Sequence, residues 1–251
     1  MKKIVVMLLT VLCLLSLSAC GKKEKLELED HEFEPIKIGS DIEESDVAGG
    51  FGINKDIDNL CTSEQTELFN KAMEGMTGVG YTPIVELGSQ VVAGKNHMYL
   101  AKGTTVTATP KTNLYCVVIY EDLQGNLEVQ KINQLDMTMF TEENDVSNEQ
   151  LLGGWHTDDL VPNIAIDSDA AAAVDEALEG LTGVTYNKLA LLGRQVVAGT
   201  NYLVLTKAFV ASPDAQPYFA VLKVYKPLDG KAELSSVYTI NLPDLIGIIG
   251  K

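Results

Sequence analysis

The chain has 251 residues, of which 46% are hydrophobic and 6% aromatic, and its formal net charge is −16. A chain this acidic repels nucleic acid and anionic lipid headgroups, so the charge argues against both as binding partners. A negative charge also keeps an extracellular protein soluble, and we prefer that interpretation.

The N-terminus has the pattern of a secretory signal. Met1-Lys2-Lys3 is basic, and the apolar run from Ile4 to Leu17 is too short to span a bilayer comfortably. Small residues then precede Cys20, and the whole segment resembles a bacterial lipoprotein signal. The resemblance implies that residues 1–19 are cleaved, that Cys20 is lipidated, and that the protein is anchored to a membrane in the cell envelope, facing outside the cytoplasm. An ordinary cleaved signal with an incidental cysteine is the alternative.

Residues 20–45 are dominated by lysine, glutamate and aspartate and contain few apolar residues. A segment of this composition cannot bury enough apolar surface to offset the entropy of ordering its chain. We therefore predict that it is a charged tether between the anchor and the folded part of the protein.

An internal repeat occupies the rest of the chain. Gln90-Val91-Val92-Ala93-Gly94 recurs unchanged as Gln195-Val196-Val197-Ala198-Gly199, which is an offset of 105 residues. The offset also relates many flanking residues, such as Tyr81 with Tyr186 and Asn96 with Asn201. A period near one hundred residues is the size of a small domain. We therefore predict two copies of one domain, a first repeat at residues 46–140 and a second repeat at residues 150–251, joined by a polar connection.

Each repeat is predicted to contain one helix followed by four strands. Thr62 to Gln65 has the pattern of a capping box, and Ser168 opens the equivalent helix of the second repeat. Gly78 and Gly183 are predicted to end the two helices. The strands form two hairpins in each repeat, at residues 82–92, 97–107, 115–120 and 127–132 of the first. The predicted fold class is α+β, because a helix on one face of an antiparallel sheet buries the apolar surfaces of both.

A glycine pair followed by an aromatic residue precedes each helix, as Gly49-Gly50-Phe51 and Gly153-Gly154-Trp155. This glycine pair, the helix, the strand ending in Gln-Val-Val-Ala-Gly and the further antiparallel strands together resemble the cystatin superfamily, in both repeats. The resemblance implies two tandem cystatin-like domains, each with one helix packed on a four-to-five-stranded antiparallel sheet. It also implies reversible inhibition of papain-like cysteine proteases.

The resemblance implies that each repeat enters a protease cleft as a wedge. The first hairpin loop would lie beside the active-site cysteine, and the glycine pair would cross that cysteine without offering a cleavable bond. Leu152 would fill an apolar subsite, and Pro227-Leu228 would replace the Pro-Trp of many cystatins. The implied protease-binding residues are Gly49, Gly50, Gln90, Val91, Val92, Ala93, Gly94, Leu152, Gly153, Gly154, Gln195, Val196, Val197, Ala198, Gly199, Pro227 and Leu228.

The two repeats differ in this second hairpin loop. Leu123-Gln124 stands in the first repeat where Pro227-Leu228 stands in the second. Because Gln124 is a poor replacement for an aromatic anchor, we expect the second repeat to bind more tightly. We also expect Gly199→Glu in the isolated second domain to abolish inhibition while leaving its thermal stability nearly unchanged.

Other functions find less support in the sequence. Cys61 and Cys116 are better interpreted as buried free thiols than as a disulfide, because the second repeat has no cysteine. The histidines are isolated, so no metal or other cofactor is predicted. No nucleophile–base–acid set recurs, which argues against an enzyme and a small-molecule substrate. The alternative is a non-inhibitory surface-binding or adhesion module, against which Gln90 and Gln195 argue because a core strand does not require glutamine.

Overall fold

The structure, a computed structural model, describes residues 36–38, 50–53, 60–140, 154–157, 160–163, 167–212, 215–242 and 245. All of them belong to one compact unit, Glu34–Lys251. The signal segment and Cys20 lie outside the described residues, as do Gly49, Leu152 and Gly153 of the implied protease-binding set. In the part of the chain that is described, no helix is long and apolar enough to cross a membrane.

The described residues combine two α-helices with two largely antiparallel sheets, so the fold class is α+β. Helix α1 (Ser63–Ala72) starts with the predicted capping box. The Thr62 hydroxyl accepts a hydrogen bond from the Gln65 backbone N–H at 3.2 Å, and the Gln65 side chain accepts one from the Thr62 backbone N–H at 2.8 Å. Helix α2 (Ser168–Ala177) is capped by Asp167, which accepts from the Ala170 N–H at 2.9 Å.

Both helices end earlier than predicted. Their C-caps are Met73 and Leu178, and the left-handed residues that follow are Gly75 (φ +83°) and Gly180 (φ +84°). The prediction that Gly78 and Gly183 end the helices is therefore wrong, because the chain has already turned three residues earlier.

Each repeat contains the predicted four strands in two antiparallel hairpins. The sheet of the first repeat has the order β2-β3-β4-β5, and that of the second continues from β9 to an additional parallel strand, β1-β9-β8-β7-β6. The strands are β1 (Ile36–Ile38), β2 (Val79–Val92), β3 (Gly94–Thr105), β4 (Thr112–Glu121), β5 (Leu127–Gln134), β6 (Val184–Val197), β7 (Gly199–Val210), β8 (Tyr218–Pro227) and β9 (Glu233–Ile240).

The repeat relation extends to irregularities of the backbone. The first hairpin of each repeat closes at the same pair of residues, Val92 with Gly94 and Val197 with Gly199. A register shift before Gly88 in β2 recurs before Gly193 in β6. The offset found in the sequence therefore holds in three dimensions, so residues can be compared between repeats position by position.

The two sheets pack against each other through one hydrophobic cluster. Alternate residues of the central strands belong to it, such as Met98 and Leu100 in β3 and Leu203 and Leu205 in β7. The Phe140 and Tyr238 rings also meet there edge to face, with centroids 5.9 Å apart. We call this cluster the shared core; it also contains Ile84, Val85, Leu87, Leu114, Cys116, Val118, Leu135, Leu160, Leu189, Ala190, Leu192, Phe219, Val221, Leu242 and Leu245.

The opposite faces of the sheets carry two further clusters. In the first repeat, Phe69 of α1 lies among buried residues of β3 and β4, and its ring contacts that of Tyr99 edge to face at 5.2 Å. In the second repeat, Ala170, Ala173 and Val174 of α2 share a cluster with residues of β6 to β9. Strands such as β8 are therefore buried on both faces.

Two segments are more ordered than the sequence suggests. Strand β1 lies in the predicted tether and pairs with Tyr238–Ile240 in parallel, because the apolar residues Ile36 and Ile38 alternate within this otherwise charged segment. The predicted polar connection begins with a 3₁₀ turn at Met137–Phe140, and Phe140 is fully buried in the shared core. The remaining residues of both segments lie outside the described part of the chain.

Candidate functional site

The tip of the first hairpin is apolar and exposed in both repeats. Val91 and Val196 are 79% and 57% exposed, and the valine that follows each is also exposed. Large aliphatic side chains with this much exposure at a loop, adjacent to one another, are typical of a surface that binds a partner.

The N-terminal segment of each repeat lies against this hairpin. Gly52 exchanges backbone hydrogen bonds with Ser89 at 2.8 and 3.0 Å, and His156 does so with Arg194 at 2.8 and 3.3 Å. Ser89 and Arg194 immediately precede the glutamines of the two pentapeptides. The exposed Gly50 and Gly154 each lie two residues before the bridging residue, within about 7 Å of it along the chain.

The aromatic residue after each glycine pair anchors the segment. Phe51 and Trp155 are partly buried and pack against the shared core. The glycines are thus exposed, whereas the aromatic residue that follows them is packed against the core. This packing fixes the position of the glycine segment beside the hairpin. We define tip 1 as Gly50, Gln90–Gly94 and Leu123, and tip 2 as Gly154, Gln195–Gly199 and Pro227–Leu228.

The last glycine of each pentapeptide is required by the local geometry. Gly94 and Gly199 have φ of +132° and +133°, a conformation that other residues rarely adopt. A Cβ would stand 2.3 Å from the Glu121 carbonyl oxygen at the first glycine and 2.4 Å from the Lys226 carbonyl oxygen at the second. The expectation that Gly199→Glu would preserve thermal stability is therefore wrong, because any side chain would displace the neighbouring strand.

The glutamine of each pentapeptide has a structural partner across the hairpin. The Asn96 side-chain amide donates to Gln90 Oε1 at 2.8 Å, and Asn201 donates to Gln195 Oε1 at 2.7 Å. These cross-strand pairs stabilise the hairpin just behind its tip. The glutamines therefore no longer argue for inhibition over a structural role.

A tyrosine from the neighbouring strand supports each loop. The Tyr120 hydroxyl donates to the Ala93 carbonyl oxygen at 2.5 Å, and the Tyr225 hydroxyl donates to that of Ala198 at 2.6 Å. The donor and acceptor come from different hairpins, so this bond joins the first hairpin loop to the strand that leads into the second. The sequence signal was the recurrence of tyrosine at the offset of 105 residues, which was not used.

The second hairpin adds an exposed leucine to each tip, and one of these was missed. Leu123 and Leu228 are related by the offset of 105 and are 80% and 82% exposed. Sequence reasoning compared Gln124 with Leu228, which placed the first repeat one residue out of register. Because Leu123 occupies the equivalent position, the expectation that the first repeat binds less tightly loses its basis.

The two second hairpins are held in different ways. Asp122 Oδ1 accepts from the backbone N–H groups of Gln124 and Asn126, both at 2.8 Å, and its Oδ2 accepts from the Asn126 side chain at 2.7 Å. These bonds, the Asn126 side chain first, lower the pKa of Asp122. The carboxylate thus closes the turn from which Leu123 projects.

In the second repeat the hairpin is tied to the helix instead. The Lys226 ammonium lies 2.6 Å from Glu176 of α2, and the same carboxylate accepts from the Ala232 backbone N–H at 2.9 Å. The bond from Lys226 is the main cause of the lowered pKa of Glu176. Charged side chains of both signs flank each tip: Lys95, Glu121 and Asp122 at tip 1, and Arg194, Lys226 and Asp229 at tip 2.

Beneath tip 1 lies a polar cluster that includes a histidine. His97 is buried, with Nδ1 at 2.8 Å from Glu86 and Nε2 at 3.2 Å from Glu121, and Glu86 also accepts from the Gln65 side chain. Burial raises the pKa of the nearby Cys61 thiol to about 12, which keeps it protonated and a poor nucleophile at neutral pH. Among the described residues, no group of three or more His, Cys, Asp or Glu side chains is arranged to hold a metal ion.

The two cysteines of the repeats are free thiols. Cys61 packs against the cluster that contains Phe69 and Tyr99, whereas Cys116 belongs to the shared core. Burial raises the pKa of Cys116 to about 12 as well.

Comparison with known proteins adds no family to these observations. No family model matches the chain, and no curated protein is similar enough in sequence to match it.

Proposed function

We propose that the protein is a reversible inhibitor of papain-like cysteine proteases, with tip 1 and tip 2 as its two protease-binding wedges. One observation carries the proposal: in each repeat, an exposed glycine segment and two exposed apolar hairpin tips lie together at one end of the sheet. The likeness to cystatins in the order of these parts supports it. The protein acts by occupying a cleft and not by catalysis.

The size and chemistry of each tip suit a protease cleft. The glycine segment and the four strands of the two hairpins lie side by side, and neighbouring strands are about 5 Å apart, so the edge is roughly 20 Å wide and one chain thick. Its exposed side chains are valine, alanine and leucine. Their burial against a partner is favourable, because it removes apolar surface from water. The tyrosine hydroxyls that bond to the Ala93 and Ala198 carbonyls keep the loops in one conformation, which reduces the entropy lost on binding.

We further propose that each repeat is a cystatin-like domain with its helix packed on its sheet. The contact between Phe69 and Tyr99 supports this in the first repeat, and the cluster around Val174 supports it in the second. The N-terminal segment would count as the fifth strand, since Gly52 and His156 bridge the edge strands β2 and β6.

We also propose that Cys20 carries the lipid anchor that the N-terminal sequence implies. The inhibitor would then be held at the cell envelope, outside the cytoplasm, where it meets proteases from the surroundings. This location fits the acidic composition, which keeps a surface-exposed protein soluble.

Titration of papain at nanomolar concentration with the chain from residue 21 onwards tests the proposal. We expect inhibition that is reversed by dilution and that saturates at a fixed number of proteases per chain. If micromolar protein leaves papain fully active, the proposal is wrong and the surface-binding alternative takes its place.

Matched valine variants test whether the tips carry the inhibition. In a chain whose tip 2 is disabled by Val196→Asp, adding Val91→Asp should remove the remaining inhibition. Adding Val106→Asp should leave it unchanged, because Val106 is equally exposed, at 75% against 79%, but follows the opposite end of β3. An equal loss of inhibition with Val91→Asp and Val106→Asp would show that the added charge, and not its position at the tip, abolishes inhibition.

A further inference from the structure

We infer that tip 1 and tip 2 lie at opposite ends of the packed sheets, and that one chain therefore holds two protease molecules at the same time, facing away from each other. This inference rests on the proposed function for the nature of the partner. The geometry on which it depends comes from contacts between the repeats.

The repeats are fixed relative to each other by the shared core. This cluster contains residues of both sheets, and its members are almost completely buried. A buried interface of this kind resembles the interior of one domain and not a mobile contact between two. The relative direction of the tips is therefore a property of the fold.

A contact near tip 1 shows which end of the second repeat lies there. A Cβ on Gly88 would stand 2.9 Å from Leu242 Cδ1, so Leu242 lies against β2 near the N-terminal segment of tip 1. Leu242 follows the end of β9 at Ile240, which pairs with Phe219 and lies far from Gly199. The end of the second repeat that is remote from tip 2 thus lies toward tip 1.

A second contact gives the same result from the other end. The Thr157 hydroxyl donates to the Thr112 carbonyl oxygen at 2.8 Å. Thr157 adjoins the bridge beside tip 2, whereas Thr112 begins β4, at the end remote from Gly94. The end of the first repeat that is remote from tip 1 thus lies toward tip 2. The two repeats are therefore antiparallel.

The separation leaves room for two partners. Strands β3 and β7 each have 12 residues, which corresponds to roughly 40 Å from one tip end to the other. A globular partner of about 200 residues has a radius of gyration of about 17 Å, so two of them at opposite ends do not overlap. Their centres should lie roughly 80 Å apart.

Light scattering on mixtures of papain with the chain from residue 21 onwards tests the inference. At saturating papain we expect a mass that corresponds to two proteases per chain. The variants Val91→Asp/Val92→Asp and Val196→Asp/Val197→Asp should each reduce this to one protease. Both pairs combined should leave none.

The outcomes separate this inference from the proposed function. A complex that saturates at one protease per chain contradicts the inference while leaving the inhibitor intact. No complex at all contradicts both. A complex of two proteases whose small-angle scattering places their centres near 40 Å contradicts the opposite-end geometry, whereas roughly 80 Å supports it.

Discussion

The two repeats are alike at their tips and different in their interiors. The glutamine–asparagine pair, the tyrosine bond to the loop carbonyl and the left-handed glycine occur in both, with distances that agree within 0.1 Å. Behind the tips, however, the first repeat has Glu86 and His97 where the second has Leu191 and Tyr202. Tip geometry therefore depends on the hairpin itself and not on the interior packing behind it.

The two repeats also differ in which hydrophobic clusters belong to one repeat and which are common to both. The helix-side clusters belong to single repeats, but the shared core takes side chains from both. The second repeat alone would expose Leu203, Leu205 and Val221 to water. An isolated repeat is therefore unsuitable for measuring binding by the tips, because its exposed core is itself an apolar surface. Experiments on the tips therefore require the whole chain.

The largest effect is expected from the shared core. Met98→Ala in the first repeat should destabilise the chain by about 2–5 kcal/mol, because it leaves a cavity between the sheets. The chain has one tryptophan, Trp155, which belongs to the second repeat. Urea unfolding monitored by Trp155 fluorescence should show the full decrease in the unfolding midpoint of Met98→Ala. The exposed Val106→Ala should show almost none.

If Trp155 fluorescence reports an unchanged midpoint in Met98→Ala, the repeats unfold independently and the shared core is not cooperative. A midpoint that shifts equally by fluorescence and by circular dichroism supports one cooperative unit. The same measurement on Leu203→Ala, the equivalent residue of the second repeat, should give a similar loss.

The next effect concerns the polar cluster beneath tip 1. His97→Ala should cost about 3 kcal/mol, because it leaves one oxygen of the Glu86 carboxylate, whose side chain is 10% exposed, without its hydrogen-bond partner. The double variant Glu86→Leu/His97→Tyr installs the residues of the second repeat. We expect it to lie within about 1 kcal/mol of the natural chain, since replacing both partners of a buried hydrogen bond by groups that pack in the same space is often nearly neutral.

Chemical denaturation of both variants measures the difference. His156→Ala serves as the control, because that histidine is exposed. Equal losses of unfolding free energy in the single and double variants would mean that Glu86 and His97 stabilise the fold by more than bonding to each other.

Much of the fold could be predicted because its signals are local. The capping box at Thr62, the hairpins and the offset between repeats depend on neighbouring residues and are confirmed. The shared core depends on residues distant in sequence. Its signal was the unbroken apolar runs at residues 115–120 and 219–222, since a sheet with one solvated face would alternate apolar and polar residues.

The candidate site was predicted in part for the same reason. Exposed valines at the pentapeptides follow from their position at a turn. The leucine at position 123 was missed because it was compared with Pro227, although the offset of 105 residues makes Asp122 the equivalent of Pro227 and the strand register agrees. The role of Asn96 requires knowing which residue faces Gln90 across the hairpin, which sequence spacing alone leaves open.

A pH effect should distinguish the first repeat from the second. Burial raises the pKa of Cys116 from its ordinary value of 9.0 to about 12, so the unfolded chain loses its thiol proton first. Its contribution to stability is therefore complete below pH 9 and is lost as the pH rises toward 12. At pH 10 the loss is about 1 kcal/mol.

Cys116→Val installs the residue of the second repeat, Val221. Under reducing conditions, its free energy of unfolding should fall less steeply between pH 9 and 11 than that of the natural chain. Tyrosines and lysines ionise in the same range in both proteins, so the difference in slope isolates this thiol. Identical slopes would mean that Cys116 is accessible to solvent.

The smallest effect tests the tips themselves. Tyr120→Phe and Tyr225→Phe each remove one hydroxyl that donates to a loop carbonyl, and each should cost about 0.5–1 kcal/mol. Because the bonds are equivalent in the two repeats, we expect similar losses. The double variant should lose the sum within about 0.5 kcal/mol, since sites at opposite ends share no partner. Denaturation curves of the three variants provide the measurement, and a large departure from additivity would contradict the separation of the two tips.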